Sequence, residues 1–289
     1  MTVQESRKFW LGGAAGLYSL FVTGTLLAGP VITVGVRVAP GSQIPAEKID
    51  HSAWDALLQK YVDSTGFVDY SSWKAAAGDQ RQLESYLNHL STASISPSTP
   101  KAVQLAFWIN AYNALTIHGI LREYPTSSIR NHTARLFGYN IWKDLQLLVN
   151  NRPYSLEEIE HQILRKMQEP RIHFAIVCAS VGCPRLLNRA YTAEKLEEQL
   201  SANATAFFAD SSKFRVDVNS GVVYVSPIFD WFGTDFGPDP VAQLQSVLRY
   251  LPEKERQFVS QGRFRVKYLD YDWSLNDQAR RRVSSASRP

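Results

Sequence analysis

A helix that is apolar on nearly all of its faces governs how this chain can fold. Thr99 can cap its start, with Pro100 at the first helical position, and the helix is expected to end near Glu123, just before a Tyr-Pro pair. Its centre, residues 107–114, reads Phe-Trp-Ile-Asn-Ala-Tyr-Asn-Ala. A helix with so little polar surface is buried on all sides. The other elements are therefore expected to pack around it.

Two amides interrupt this apolar helix. Asn110 and Asn113 are three residues apart and so lie on one face. A buried amide needs partners for both its donors and its acceptor. Bracing of loop backbone is favoured for both side chains, and contact with a bound ligand is kept as the alternative.

The remaining elements are helices mixed with short strands. A capping box of Ser155 and Glu158 starts one helix. A hairpin joins residues 214–218 to residues 222–226, and residues 264–273 are expected to contain a closing strand. This order predicts an α+β fold with helices around a modest, mainly antiparallel β-sheet, and an N-terminal transmembrane helix.

The transmembrane prediction rests on the N-terminal segment. No charged residue occurs between Phe9 and Val36, a stretch longer than the roughly twenty apolar residues that span a bilayer as a helix. An uncleaved membrane anchor is favoured over a cleaved signal segment, because the apolar core is long and a small-x-small cleavage site is poorly matched. Arg7 and Lys8 favour a cytoplasmic N-terminus. The protein is therefore expected to cross the cytoplasmic membrane once, with its globular part on the non-cytoplasmic side; a secreted or periplasmic protein is the alternative.

These features divide the chain into four parts. Residues 1–36 form the anchor or signal segment, residues 37–50 a linker, residues 51–277 the globular domain, and residues 278–289 an Arg- and Ser-rich tail that is expected to be disordered. The net charge of +4 is mild and the basic residues are spread along the chain. The membrane is therefore an expected partner and nucleic acid is not.

The chain has two cysteines, Cys178 and Cys183, and His173 lies just upstream of them. Residues 172–178 are a near-continuous apolar run, which is typical of a strand buried on both faces. In such a strand His173 and Cys178 would point to opposite faces and stand about 17 Å apart. The strand would have to end or bend before these two side chains meet.

Cys183 is freer to approach the imidazole, because residues 180–182 can turn the chain back. Pro184 suits a first helical position, which would place Cys183 at a helix N-cap, where the pKa of a thiol is lowered. Cys183 is therefore the preferred nucleophile, and Cys178 is retained as a second candidate. A disulfide between the two cysteines is the alternative to a reactive thiol.

Glu160 is the carboxylate that the sequence singles out. A carboxylate that faces a core is costly unless it is hydrogen-bonded or paired. A catalytic role and a structural bond to backbone or to an arginine such as Arg171 are both open. Glu160 lies inside the expected buried stripe of the helix that starts at Ser155, which consists of Leu156, Ile159, Ile163 and Met167.

Metal and cofactor chemistry is not indicated. The six histidines and two cysteines match no standard zinc spacing. Four residues separate the cysteines, whereas a thioredoxin-type redox pair is separated by two. No metal site and no cofactor are therefore expected.

Several long phrases occur in order over about residues 50–277. They are Gly66-Phe-Val-Asp-Tyr70, residues 106–115, Ser155-Leu-Glu-Glu-Ile-Glu-His161, residues 170–184 and Tyr271-Asp-Trp-Ser-Leu-Asn276. With these phrases the chain resembles the bacterial branch of the DUF547 family. The resemblance implies a thiol-hydrolase site built from a Glu, a His and a Cys, which here would be Glu160, His173 and either Cys178 or Cys183.

The leading hypothesis is a membrane-anchored thiol hydrolase that acts on a peptide or another small amide. The cysteine thiolate would attack the carbonyl, His173 would act as base and then as acid, and Glu160 would orient the imidazole. Asn110 or Asn113, with backbone N–H groups at the Cys183 turn, would stabilise the oxyanion. The alternative hypothesis is a non-catalytic interaction or scaffold domain in which Cys178 and Cys183 form a structural disulfide.

Overall fold

The computed structural model describes residues 30–134 and 138–281 as a mixture of helices and short strands. The α+β class expected from the sequence is confirmed. The helices are α1 Ser52–Tyr61, α2 Tyr70–Ala75, α3 Ala77–Ser91, α4 Lys101–Glu123, α5 Ile141–Asp144, α6 Leu156–Glu158, α7 Leu196–Ala209, α8 Ile228–Trp231, α9 Pro240–Ser246 and α10 Glu253–Ser260. The strands are β1 Ile32–Val34, β2 Ile44–Pro45, β3 Ala93–Ser94, β4 Leu145–Val149, β5 Arg152–Ser155, β6 Phe214–Asp217, β7 Val222–Val225 and β8 Arg265–Tyr268.

Helix α4 is the centre of the larger of two hydrophobic cores. It begins directly after Pro100, ends at Glu123 and is buried on every face from Leu105 to Leu121, apart from the half-buried His118. Helices α2 and α3 and strand β4 pack against it, and α1 packs on α2 and α3. The second core lies among α7, strands β6 and β7 and helices α8 to α10, and is rich in phenylalanine. The prediction of a central buried helix is confirmed.

The strands form three small sheets rather than one, in the orders β1-β4-β5, β2-β3 and β6-β7-β8. The predicted hairpin is present as antiparallel β6 and β7, and β8 pairs with β7 in parallel. Each sheet contains a parallel pair, so the expectation of a mainly antiparallel sheet is wrong. Helices α8 to α10 lie between β7 and β8 in the chain, and this long connection lets β8 return in the same direction as β7.

The capping box at Ser155 and Glu158 is present as predicted. The helix then widens into a π-helix over Ile159–Leu164 and tightens into a 3₁₀ turn over Arg165–Met167. The wider turns shift the side chains that follow, so Leu164 rather than Ile163 is buried. Glu160 lies inside this π segment.

Residues 172–178 do not form the expected strand. A 3₁₀ helix spans Pro170–Phe174, and irregular backbone continues to Cys178. The run is apolar because it is buried on all sides, and side-chain amides satisfy its backbone where strand neighbours would otherwise do so. No helix begins at Pro184 either; Cys183 lies in a turn closed by its N–H and the Ser180 carbonyl, 3.1 Å apart.

The ends of the predicted domain are partly packed onto the body. Ile32–Val34, at the end of the apolar stretch, pairs with Leu145–Leu147 in parallel. Within the expected linker, Val38, Ala46 and Ile49 are buried. Gln278, at the start of the expected tail, donates to two carbonyls of the body.

The membrane prediction concerns mainly residues 1–29, which lie outside the described residues, as do residues 282–289 of the expected tail. Among residues 30–134 and 138–281, no helix combines the length and the apolar character needed to cross a bilayer.

Candidate active site

Glu160, His173, Cys178 and Cys183 all line one cavity of about 350 Å³. The four site residues proposed from the sequence therefore meet, although they come from a π-helix, a 3₁₀ helix and a loop. Six aromatic side chains contribute to the remaining wall, and these are Tyr112, Trp142, Trp231, Phe232, Tyr271 and Trp273.

The cysteine loop is shaped by the chain segment that follows β8. The N–H groups of Val181 and Gly182 donate to the carbonyls of Ser274 and Asp272, both at 2.8 Å. A β-carbon at Gly182 would lie 2.9 Å from the ring of Tyr271, which is closer than real contacts allow. Ala179 adopts a left-handed φ of 57°, which bends the chain between the cysteines. The strand that would have kept His173 and Cys178 apart does not form, because a 3₁₀ helix over Pro170–Phe174 is followed by irregular backbone.

Cys178 and Cys183 are joined by a disulfide, with their Cα atoms 6.3 Å apart. The N–H of Cys178 donates to Sγ of Cys183 at 2.9 Å, and the Tyr271 hydroxyl lies 3.2 Å and 3.3 Å from the sulfurs of Cys183 and Cys178. The Ser180 hydroxyl contacts both sulfurs as well. These donors would stabilise a thiolate after reduction, Cys183 most directly because it also receives the backbone N–H.

His173 is oriented by Asp235, which lies 62 residues further along the chain. Nε2 of His173 is 2.8 Å from Oδ2 of Asp235, and Arg165 holds the same carboxylate through two hydrogen bonds of 2.6 Å and 2.8 Å. The imidazole stacks on Phe232 with ring centres 4.4 Å apart. In the part of the chain that the structure describes, Nδ1 of His173 makes no hydrogen bond to the sulfur of either cysteine.

The charges of this group follow from burial and pairing. Burial lowers the pKa of His173, and Asp235 opposes this only in part. Burial alone would raise the pKa of Asp235, but hydrogen bonds with Arg165 and His173 outweigh it and hold the pKa well below its usual value. At neutral pH the pair is therefore a neutral imidazole bonded to a carboxylate, which is the state required of a general base.

Glu160 does not orient His173. Its Oε2 accepts a hydrogen bond of 3.2 Å from the Tyr112 hydroxyl of α4, and Arg171 pairs with Glu169 and Glu197 instead. Burial raises the pKa of Glu160 to about 7, although Tyr112 and Arg165 act in the opposite direction. A carboxyl with this pKa beside a cavity can donate or accept a proton near neutral pH.

Asn110 and Asn113 brace the backbone, and neither lines the cavity. Asn110 makes a pair of hydrogen bonds with the N–H and carbonyl of Tyr191, at 2.9 Å and 2.8 Å. Asn113 makes hydrogen bonds of 2.9 Å and 3.0 Å to the carbonyl of Ala175 and the N–H of Val177. Each amide uses its oxygen and an N–H on backbone groups, which supports the bracing interpretation. The ligand-binding and oxyanion roles stay predictions.

Sequence reasoning missed Asp235, Arg165 and Tyr271. Arg165 follows His161 by four residues, a spacing that predicts contact on a helix, and its Nη1 lies 3.3 Å from Nδ1 of that histidine. Asp235 lies in a short 3₁₀ turn over Gly233–Asp235 with no local pattern that marks a functional carboxylate. Tyr271 opens the last of the phrases that carry the family resemblance, but nothing in that phrase indicates a role for its hydroxyl.

Residues 97–208 match the DUF547 family. That family is described as a protein of unknown function, and its matched range contains α4, Glu160, His173 and both cysteines, but neither Asp235 nor Tyr271. The expected resemblance is confirmed over this range. No curated protein and no solved structure matches the chain significantly.

The described part of the chain brings no three His, Cys, Asp or Glu side chains together in an arrangement that would hold a metal ion.

Replacement of Asn113 by alanine tests its bracing role. The change leaves the carbonyl of Ala175 and the N–H of Val177 without their buried partner, so the free energy of unfolding should fall by about 2–5 kcal/mol. Denaturant unfolding measures this, with Asn131→Ala as a control on an exposed amide that should change stability by less than about 0.5 kcal/mol. Equal effects of the two substitutions would contradict the bracing role.

The raised pKa of Glu160 predicts a pH-dependent effect of Glu160→Gln. The folded protein holds the Glu160 proton up to pH about 7, whereas the unfolded chain releases it near its ordinary pKa of 4.5. Wild-type stability should therefore fall relative to the variant as the pH rises through this window. The free energy of unfolding, measured at pH 4 and pH 8, should be higher for Glu160→Gln relative to wild type at pH 8 than at pH 4. The control is Glu157→Gln, on the same helical segment but with a side chain that is 44% exposed, and it should show no such increase. A constant difference between Glu160→Gln and wild type at both pH values would refute the shift.

Proposed function

We propose that the reduced protein is a thiol-dependent hydrolase that acts on a peptide or another small amide. The observation that supports this most strongly is the convergence of a cysteine pair, a histidine oriented by a carboxylate, and a carboxyl with a pKa of about 7 on one cavity. A nucleophile, a base held by a third group and an acid-base group are the parts that acyl transfer through a thioester requires.

In the proposed reaction, Cys183 is the nucleophile. The neutral imidazole of His173 takes the thiol proton, Sγ bonds to the amide carbon, and the carbon–nitrogen bond breaks as the imidazolium returns the proton to the leaving amine. Water, deprotonated by the same imidazole, then cleaves the thioester and releases the acid. Asp235 has the orienting role that the sequence assigned to Glu160, and it stabilises the imidazolium.

Glu160 has a separate role in this proposal. Its pKa of about 7 leaves a large fraction protonated at neutral pH, so it can donate a hydrogen bond to the carbonyl oxygen or the leaving group. Tyr271, whose hydroxyl contacts both sulfurs, is the second donor at the reacting centre. The aromatic wall around Trp231, Tyr271 and Trp273 suits an apolar or aromatic group on the substrate.

The disulfide makes this activity conditional. A cysteine bonded to a second sulfur cannot attack a carbonyl, so a dithiol or phosphine must first reduce the bond to two thiols and become oxidised itself. The same disulfide favours the second candidate function, a non-catalytic interaction domain in which the bond closes a short loop and stabilises the fold by about 2 kcal/mol.

A single acyl-transfer experiment separates these two functions. The protein is reduced with a phosphine, because a thiol reagent would itself react, and is then exposed to p-nitrophenyl acetate. We expect one equivalent of acetyl on Cys183, seen by intact and peptide mass spectrometry. Cys183→Ser should remove this adduct, Cys178→Ser should retain it, and His173→Gln and Asp235→Asn should slow its formation, the former by about 100-fold or more.

Thermal unfolding of each variant is the control for folding. If the reduced, folded protein forms no acyl adduct on either cysteine, the hydrolase proposal fails and the interaction domain is favoured. An adduct that forms equally fast in His173→Gln would exclude the proposed base.

We also propose that the globular part lies on the non-cytoplasmic side of the cytoplasmic membrane. The uncharged stretch from Phe9 and the disulfide both support this, because disulfides persist in oxidising compartments. A phosphatase reporter that folds only after export, fused after residue 281, should be active, and deletion of residues 1–29 should abolish its activity. An inactive reporter on the full-length fusion, or an active reporter on the fusion without residues 1–29, would contradict the placement.

A further inference from the structure

A second cavity, of about 570 Å³, lies on the other side of the cysteine loop. Cys183 and Pro184 line both cavities, so the proposed nucleophile lies between them. The two differ in chemistry: the first is lined by six large aromatic side chains, whereas the second has two, Phe67 and Phe207, among small, polar and charged residues. Its charged residues are Arg185, Lys213, Arg281 and Asp210, an excess of positive charge.

Arg185 differs from the other cations of this cavity. Lys213 is paired with Asp210 at 2.6 Å, and Arg281 lies 3.7 Å from Asp63. Arg185 makes no ion pair with any described residue, and its side-chain hydrogen bonds go from Nε to Oδ1 of Asn203 at 2.9 Å and from Nη1 to the carbonyl of Ser64 at 3.4 Å. Neutral acceptors fix the guanidinium without neutralising its charge, and Nη2 keeps its donors for a ligand.

The position of Arg185 is held firmly. Asn203 is 1% exposed and also donates to the carbonyl of Arg185 at 3.3 Å, so one amide fixes both the backbone and the side chain of this arginine. Gly66 seats the opposite loop against it: φ is +87°, and a β-carbon there would lie 2.6 Å from Cβ of Arg185. A part-buried, immobilised cation without a counter-ion is pre-organised for an anion.

We propose that Arg185 binds a free carboxylate on the leaving-group side of the substrate. The substrate class is then a small peptide-like amide, with an apolar or aromatic acyl group in the first cavity and a carboxylate close to the scissile nitrogen in the second. The guanidinium is well suited to this, because it forms paired charge-assisted hydrogen bonds with a carboxylate. This inference rests on the proposed hydrolase function of the same site.

Two matched substrates test the inference, N-acetylphenylalanylglycine and its C-terminal amide, which differ only in the carboxylate. Phosphine-reduced full-length protein should release glycine with a kcat/KM at least about tenfold higher than that for release of glycinamide. Arg185→Gln should lower this ratio to near one by reducing turnover of the acid alone. Arg189→Gln, four residues further on and exposed beside Asp55, should leave the ratio unchanged.

Two further measurements keep the inference testable if Arg185→Gln does not fold or if no turnover occurs. The preference of the wild-type protein for the acid should weaken as salt is raised, because screening reduces the attraction between partly exposed charges. Binding of both peptides to the Cys178→Ser/Cys183→Ser variant, measured by calorimetry, should favour the acid.

The outcomes separate the two proposals. Binding that favours the acid and depends on Arg185, without any hydrolysis, would retain the carboxylate site and refute the hydrolase. Hydrolysis of both peptides with equal kcat/KM would retain the hydrolase and refute the carboxylate site, as would a preference that Arg185→Gln leaves intact.

Discussion

The structure depends on a helix that is buried on every face and yet carries polar side chains. In α4, Asn110, Tyr112 and Asn113 occur within four residues and have little access to water. Each must find its partner in the protein, because an unsatisfied buried polar group is costly. Asn110 binds the backbone at Tyr191, Asn113 binds the backbone just before Cys178, and Tyr112 donates to Glu160. The demand for hydrogen bonds inside one apolar helix therefore fixes three separate parts of the chain against α4. Two of them, the segment of Glu160 and the segment before Cys178, border the first cavity.

A second set of interactions joins the two hydrophobic cores at this cavity. Arg165 continues the helical segment that carries Glu160, whereas Asp235 directly precedes Phe236 of the phenylalanine-rich core. Their paired hydrogen bonds connect the two. His173 shares the same carboxylate and rests on Phe232. The imidazole is thus held by charge on one edge and by a ring on one face. Burial keeps the imidazole neutral, and Nδ1 makes no hydrogen bond to any described residue, as the proposed role of a general base requires.

The loop from Cys178 to Cys183 carries the disulfide, so its redox state decides whether a free thiol is present. Its turn is set by the Ser180 carbonyl, by Gly182 packed against Tyr271 and by the left-handed Ala179. The loop separates an aromatic cavity from a cationic one, and Cys183 borders both. In the oxidised form the loop is a short, closed ring. In the reduced form the same hydroxyl and N–H donors would face a thiolate. The structural role and the proposed catalytic role would then belong to two redox states of one loop.

Local spacing and linear motifs are enough to predict the buried helix α4, the capping box at Ser155, the β6–β7 hairpin and the family resemblance over residues 97–208. Such motifs also nominate Glu160, His173 and the cysteines as one group, and these residues border one cavity. The sequence-based prediction failed at residues 172–178, since an apolar run records burial and not the source of the backbone hydrogen bonds, which here are side-chain amides. Only the tertiary structure decided that Asp235 rather than Glu160 orients His173, that β8 joins β7 in parallel, and that Arg185 lacks a counter-ion within the described chain. Those outcomes depend on contacts between residues that are far apart in the chain, and a local sequence pattern does not specify which distant residues will meet.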